Sequence, residues 1–147
     1  MNLFRVLEIS GSALLAERQR AEVVTSNLAN SETTETPAGG PYKRMHVVFG
    51  SHPVGAGGFT ATLASFTDAH APGVRVDRVV QDGAPSIRRF EPGNPEADGE
   101  GYVSYPAINP VEEMVNLMGA ARSYQLNASA VQSTKNMIES SIDIIKS

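Results

Sequence analysis

Histidine and aspartate residues in the middle of the chain are the first candidates for chemistry. Three histidines are present, His46, His52 and His70, and Asp68 lies two residues before His70. Residues two apart on a β-strand lie on the same face, so the side chains of Asp68 and His70 could bind a metal ion together. Because no third ligand can be identified, this pair supports only an alternative hypothesis, a small metal-binding module or enzyme.

Other catalytic and ligand-binding motifs are missing from the sequence. The chain has no cysteine and no G-x-S-x-G nucleophile motif. The stretch AGGPYKR (38–44) lacks the G-K-[ST] ending of a phosphate-binding loop, and PEADGEG (95–101) lacks the ligand spacing of a calcium loop. We therefore expect neither enzymatic activity, nor a cofactor, nor a small-molecule substrate.

The charge distribution also limits the possible partners. The net charge of the 147 residues is -4 and the basic residues form no cluster, which argues against nucleic acid as a partner. The sequence contains no run of roughly 18 apolar residues, the length that would predict a membrane span. The first ten residues, MNLFRVLEIS, are interrupted by Glu8 and no Ala-x-Ala site follows, so we expect no cleaved signal peptide.

The C-terminal segment has the heptad pattern of a helix that packs along a second helix. Asn109 and Pro110 are typical residues for the start of a helix, and at ~1.5 Å per residue the helix would be about 55 Å long. Of the ten residues at heptad positions a and d, only Lys135 is polar, and it could fix the register of the packing. These ten are Met114, Leu117, Ala121, Tyr124, Ala128, Val131, Lys135, Ile138, Ile142 and Ile145.

The N-terminal segment has a weaker repeat of the same kind. Four apolar residues follow one another at intervals of seven, although Ser10 and Glu17 interrupt the second row. The four are Leu7, Leu14, Ala21 and Leu28. We predict that the two terminal helices form an antiparallel, coiled-coil-like hairpin.

The middle of the chain predicts a small β-rich domain. Glycine- and proline-rich turns separate five stretches with strand-like composition. These stretches are 42–49, 59–66, 73–82, 86–91 and 101–106. The predicted fold is therefore α+β, with an N-terminal helix in residues 1–30, a linker and β-rich insert in 31–106, and a C-terminal helix in 107–147.

Motifs near both ends resemble those of one protein family. Asn27-Leu28-Ala29-Asn30, followed by Tyr42-Lys43-Arg44, resembles the N-terminal motif of the flagellar rod and hook axial proteins. The C-terminal fifty residues are similar to the signature of the same family. They contain Ala97-Asp98, Gly101-Tyr102-Val103, Pro106, Asn109, Glu113-Met114, Ala121-x-x-Tyr124, Asn127 and Lys135-x-Met137. The long spacer between the two N-terminal motifs is similar to that of the proximal rod branch, type C.

The resemblance implies a structural subunit of the bacterial flagellar basal body. Such a subunit would be exported by the flagellar type III system without a cleaved signal peptide and would assemble in the periplasm. Its terminal helices would polymerise into the rod, the drive shaft that transmits torque for motility. The implied partners are the chain itself, other rod proteins, and the membrane ring and export apparatus at the rod base.

The resemblance also implies a role for the polar segment that follows the N-terminal helix. We expect the side chains of Asn27 and Asn30 to close that helix by hydrogen bonds, so that the spacer can lead the chain outward to the β domain. A distal rod or hook relative is a further alternative, but the short insert argues against it.

Overall fold

The computed structural model describes residues 3–53 and 72–146 of the chain. Within these residues, two long helices and four strands follow one another in the order α1, β1, β2, β3, β4, α2. Their bounds are Leu3–Ala29 for α1, Met45–Pro53 for β1, Pro72–Gln81 for β2, Ile87–Phe90 for β3, Tyr102–Tyr105 for β4 and Pro110–Lys146 for α2. The predicted α+β class is confirmed.

Helix α2 begins where the sequence predicts. The side-chain oxygen of Asn109 accepts a hydrogen bond from the Val111 amide at 3.0 Å, and the Asn109 carbonyl accepts one from the Glu113 amide at 3.1 Å. Pro110 is the first helical residue, where a missing amide hydrogen costs nothing. Asn109 is therefore the N-cap of α2.

The strands form two separate two-stranded sheets. β1 pairs with β2, and β3 pairs with β4 in antiparallel register, with Ile87 opposite Tyr105 and Phe90 opposite Tyr102. The first strand begins at Met45, not at residue 42 as predicted, because the Tyr42 amide is bonded to the Thr33 carbonyl at 3.0 Å within the preceding loop. The strand predicted over 59–66 lies outside the described residues.

The described residues divide into two compact units. One comprises residues 3–20, 49–53, 72–77 and 119–146, and the other comprises residues 21–48 and 78–118. In the first unit, the Ser12 hydroxyl on α1 accepts a hydrogen bond from the Val74 amide at 3.1 Å. In the second unit, Val103 and Ile108 are the buried apolar residues of the β4 region.

Burial along α2 differs from the predicted heptad. The most deeply buried residues of α2 are Glu113, Ala120 and Thr134, which are spaced by seven and fourteen positions. They lie one position before residues that were predicted at heptad position a, such as Met114 and Lys135. Met114 and Lys135 themselves are exposed. The pattern favoured the large apolar residues of the neighbouring row, whereas small and hydrogen-bonding residues are the ones that are covered.

In helix α1, too, the buried residues belong to a row that was not predicted to pack, the second row that contains Ser10 and Glu17. Ser10 and Val24 are buried and the Glu17 side chain is largely covered, although Ser10 and Glu17 were expected to interrupt this row. The predicted residues Leu7, Leu14, Ala21 and Leu28 are half-buried. Within residues 3–53 and 72–146, neither helix is long and apolar enough to span a membrane.

Candidate functional site

A buried polar network joins three segments that are far apart in the sequence. It lies within the second unit and connects the last turns of α1, the loop and first residue of β1, and the first turn of α2. Its two central side chains, Asn27 and Glu113, are each 1% exposed. Two polar side chains this deeply buried require hydrogen-bond partners, since a buried polar group without one costs about 1–3 kcal/mol.

Asn27 makes four hydrogen bonds with its side-chain amide. The Nδ2 group donates to the Met45 carbonyl at 2.8 Å and to Glu113 Oε2 at 3.0 Å. The Oδ1 atom accepts from the Met45 amide at 2.9 Å and from the Tyr42 hydroxyl at 3.2 Å. The two bonds to Met45 replace a backbone pairing at the start of β1, so Asn27 fixes that strand against α1.

Glu113 is the acidic centre of the network. Its Oε1 atom accepts a hydrogen bond from the Arg44 guanidinium, and its Oε2 atom accepts the bond from Asn27. Arg44 also contacts Glu112 Oε1 at 2.9 Å. Arg44 and Glu113 are both largely covered, so the ion pair compensates a buried carboxylate that would otherwise be strongly unfavourable.

The electrostatics of Arg44 follow from two opposing effects. Burial acts to lower its pKa, but hydrogen bonds and charge attraction from Glu112 and Glu113 outweigh burial and raise the pKa above the ordinary value. The guanidinium is thus fixed in its charged form. Its Nε atom is buried and has no hydrogen-bond partner among the described residues.

Asn30 has a different role from Asn27. Its Nδ2 group donates to the Ser26 carbonyl at 2.9 Å, and its Oδ1 atom accepts from the Thr33 hydroxyl at 3.2 Å. These bonds close the end of α1, as the sequence predicted for both asparagines. For Asn27 the prediction is wrong, because its side chain bonds to Met45, Tyr42 and Glu113.

The spacer returns the chain to the helix end. The Thr36 amide donates to the Gly40 carbonyl at 2.9 Å, and the Gly39 amide donates to the Thr36 carbonyl at 2.8 Å. Gly39 and Gly40 have φ values of 86° and 72°, a conformation that favours glycine. This closed loop brings Tyr42 to Asn27, where its hydroxyl also lies 3.3 Å from the Ser26 hydroxyl.

The other members of the predicted motifs do not enter the network. Leu28 is half-buried on α1, Ala29 is exposed, and Lys43 is exposed between two network residues.

The predicted heptad residues of α2 differ in their exposure. Those that are half-buried are Leu117, Ala128, Val131 and Ile138, and those that are exposed are Ala121, Tyr124 and Ile142. The side chain of Ile145 lies outside the described residues.

The metal-site hypothesis gains no support. Asp68 and His70 lie outside the described residues. Among the residues that are described, no three His, Asp or Glu side chains converge on a possible metal position. His46 instead pairs with Asp82, with 3.1 Å between Nε2 and Oδ2, and this hydrogen bond lowers the pKa of Asp82.

Glu113 is the central residue that sequence reasoning missed as a site residue. From its position alone it is one of two acidic residues in the first turn of α2, where a carboxylate complements the helix dipole. Its partner Asn27 is 86 positions away, and no local pattern encodes that contact. The only available signal was its place in the C-terminal signature, beside Met114.

The chemistry of the network is that of a structural joint. Its buried carboxylate is paired with Arg44, its central groups are shielded from water, and it contains no nucleophile next to a base. It holds together three segments from both halves of the chain.

Two family models match the chain. The model described as "Flagella basal body rod protein" matches residues 7–35, and the one described as "Flagellar basal body rod FlgEFG protein C-terminal" matches residues 100–144. Of the two central residues of the polar network, Asn27 lies in the first region and Glu113 in the second.

Full-length relatives extend this similarity over almost the whole chain. The flagellar basal-body rod protein FlgC of Salmonella typhimurium is 41% identical over 138 residues, 94% of each chain. The FlgC protein of Bacillus subtilis is 35% identical over 150 residues, 99% of this chain and 100% of the relative. That of Borreliella burgdorferi is 34% identical over 154 residues, 99% of each. The predicted resemblance to the type C proximal rod proteins is confirmed.

Proposed function

Because this chain belongs to the FlgC family of flagellar basal-body rod proteins, we propose that its buried polar network is the joint that prepares the subunit for assembly. The chain is a structural, non-enzymatic subunit of the basal-body rod and acts in motility. The observation that carries the proposal is the hydrogen bond between Asn27 on α1 and Glu113 on α2. It links the two terminal helices, which contain most of the two regions that the family models match.

The joint gives the helices a fixed relation to the β-rich insert. Asn27 holds the start of β1 through Met45, and Arg44 holds the start of α2 through Glu112 and Glu113. We propose that these contacts support an antiparallel hairpin of α1 and α2, with the domain limits 1–30, 31–106 and 107–147. In such a hairpin, the predicted heptad residues left exposed on α2 would face neighbouring subunits.

The assembly route is part of the same proposal. The subunit leaves the cytoplasm through the flagellar type III system, keeps its N-terminus, and polymerises in the periplasm. Its partners are further copies, other rod proteins, and the membrane ring and export apparatus at the rod base. Repeated contacts between different surfaces generate an open helical shaft that can transmit torque.

The motif Asn27–Asn30 with Tyr42–Arg44 provides the test. In a strain lacking the native gene, Asn30→Ala removes a helix-end contact and should leave the protein folded while it reduces motility and the yield of basal bodies. Normal motility with normal basal-body yield would mean that the helix end is not needed for assembly.

The export route is tested on the same preparation. Mass spectrometry of the chain from purified basal bodies should recover its N-terminal peptide uncleaved. Recovery only of a shortened chain would contradict export without a cleaved signal.

A further inference from the structure

Strand β3 lies at the edge of its sheet. It pairs with β4 on one side, and no other strand of residues 3–53 and 72–146 pairs with it on the opposite side. All four of its residues, Ile87–Phe90, are exposed, whereas the Val103 side chain on β4 is buried. β4 is thus the covered strand of the hairpin and β3 the exposed one. We call the side of β3 that faces away from β4 the open edge.

The register of the hairpin determines which backbone groups point to the open edge. The Glu91 amide donates to the Gly101 carbonyl at 2.9 Å, one step beyond the last pair of the ladder. Bonded and non-bonded pairs alternate in an antiparallel ladder, so the amides and carbonyls of Arg88 and Phe90 point away from β4. Among the described residues, these four groups have no hydrogen-bond partner. They form a template for an added strand.

The two arginines of β3 leave the open edge uncovered. Exposed edge strands are commonly protected against pairing by charged side chains. Arg88 instead lies over the Tyr102 ring, 4.6 Å from its centroid, and Arg89 lies over the Tyr105 ring at 4.7 Å. Both rings belong to β4, so both guanidinium groups are directed across the hairpin and away from the open edge.

The charges of these arginines are compensated to different degrees. Arg88 is paired with Asp98 at 2.6 Å and with Glu100 at 3.3 Å. Arg89 has no carboxylate within ion-pair distance among the described residues. Opposite charges directly across an antiparallel pair are stabilising, and like charges are destabilising. A strand with Asp or Glu opposite Arg89 therefore complements the open edge.

Two exposed apolar side chains specify more of the partner. Phe90 is 63% exposed and Ile87 is 47% exposed. Successive side chains alternate between the faces of a strand, so Ile87 shares a face with Arg89, and Phe90 lies on the other face. Apolar residues opposite Phe90 and Ile87 would cover both. Because Arg88 is already paired, an antiparallel partner has the order apolar, acidic, any residue, apolar.

The β3 strand of a second copy does not fit this order. Two antiparallel registers overlap most and keep the outward backbone groups opposite one another, and they are centred on Arg88 or on Arg89. Each sets an arginine opposite the same arginine of the other copy, which is destabilising. The open edge therefore favours a segment of different sequence.

We propose that the open edge binds an extended segment of another protein, which joins β3 as an antiparallel strand with the pattern apolar, acidic, any residue, apolar. Backbone hydrogen bonds to Arg88 and Phe90 hold the segment, and Arg89 with the two apolar side chains selects its sequence. This inference goes beyond the joint and the terminal helices, because it assigns a docking site to the β-rich insert.

Binding of a synthetic peptide to the purified full-length chain tests the inference. The fluorescently labelled peptide Thr-Val-Glu-Thr-Ile-Thr places its Val opposite Phe90, its Glu opposite Arg89 and its Ile opposite Ile87. Fluorescence anisotropy should show saturable binding. Amide hydrogen exchange at Arg88 and Phe90 should become slower in the complex, because their amides are then bonded.

N-methylated forms of the peptide provide a matched control on the unaltered protein. Methyl groups on the Val amide and on the amide of the Thr opposite Arg88 remove the two donors that face β3, and should weaken binding about tenfold or more. A methyl group on the Glu amide removes a donor that points away from β3, and should change the affinity by less than about twofold.

A charge exchange tests the role of Arg89. Arg89→Glu should weaken binding of the peptide about fivefold, and a peptide with Lys in place of Glu should restore it. Arg89→Gln, which is neutral, should bind both peptides with similar affinity.

Several results would overturn the inference. They are no saturable binding at millimolar peptide, equal weakening by the two methylation patterns, and an affinity that does not depend on the charge opposite Arg89. A chain that sediments as a dimer which the peptide dissociates would also overturn it, in favour of a second copy at the open edge. These measurements use the purified chain, so their outcome is independent of its incorporation into basal bodies.

Discussion

Replacement of Asn27 by alanine tests the buried joint in the second unit. The change removes four hydrogen bonds and leaves the Met45 amide and carbonyl, together with one carboxylate oxygen of Glu113, without the Asn27 side chain. Each buried polar group that loses its partner costs about 1–3 kcal/mol. Because water can enter the space left by the side chain and replace part of these bonds, we expect a total loss of about 4 kcal/mol.

This loss is measurable in the purified full-length chain. A 4 kcal/mol change corresponds to a fall of about 2 M in the urea midpoint when m is roughly 2 kcal/mol/M. Typical domains have a total stability of about 5–15 kcal/mol, so the variant would be close to unfolding. Circular dichroism and tyrosine fluorescence should report the same midpoint shift if the joint is cooperative with the rest of the unit.

The motif provides a matched control in Asn30→Ala. Asn30 is only partly covered and bonds within the helix end, to Ser26 and Thr33, so its loss should cost about 1 kcal/mol or less. Equal midpoint shifts for Asn27→Ala and Asn30→Ala would contradict a buried joint at Asn27.

A double-mutant cycle isolates the contact with α2. Asn27→Asp removes the Nδ2 donor and places a second carboxylate about 3 Å from Glu113 Oε2, so it should destabilise the protein more than Asn27→Ala. Glu113→Gln in the same chain restores a donor between the two positions and should recover part of the loss. Additive effects of the two changes would mean that the side chains do not interact.

Three further changes test other parts of the second unit. Arg44→Ala leaves the buried carboxylate of Glu113 without its cation and should cost about 3–5 kcal/mol in urea unfolding, with partial recovery in Arg44→Lys; a change below 1 kcal/mol would contradict the buried pair. Backbone amide donors lower the pKa of Asp98 below its ordinary value of 3.8, so its stabilising effect is present above that pH and is lost as the pH falls through the lowered value. Thermal unfolding of Asp98→Asn should therefore depend less on pH below about 4 than that of the parent, and an identical pH dependence would be the contrary result. Gly101 has φ 81° and an added Cβ would lie 3.1 Å from the Phe90 ring, so Gly101→Ala should destabilise the β3–β4 hairpin by about 1–2 kcal/mol, visible as faster amide exchange there; unchanged exchange would argue against this strain.

The sequence predicted the elements more reliably than their faces. Asn109 and Pro110 act locally, through a side chain that bonds to the next turn, so the start of α2 followed from residue types alone. The buried row of α2 did not, because it contains Ala120 and Thr134, which a hydrophobic pattern ranks below the methionines and isoleucines beside them.

The joint shows a second limit of local reasoning. Both asparagines of the motif are suited to close a helix, and Asn30 does so. Which asparagine points inward depends on the turn of α1 and on partners supplied by β1 and α2, the latter 86 positions away. The family motif identified the relevant segment, but the paired carboxylate required the folded structure.

The most direct measurement of the central claim is the composition of rods that carry a tagged copy of the chain. Basal bodies would be purified from a deletion strain that expresses the parent or Asn27→Ala, and the tag would be quantified against the membrane ring protein. We predict that the parent copurifies with intact rods and that Asn27→Ala gives few rods and little tag. Complete rods formed without the chain, or with full amounts of Asn27→Ala, would contradict the account.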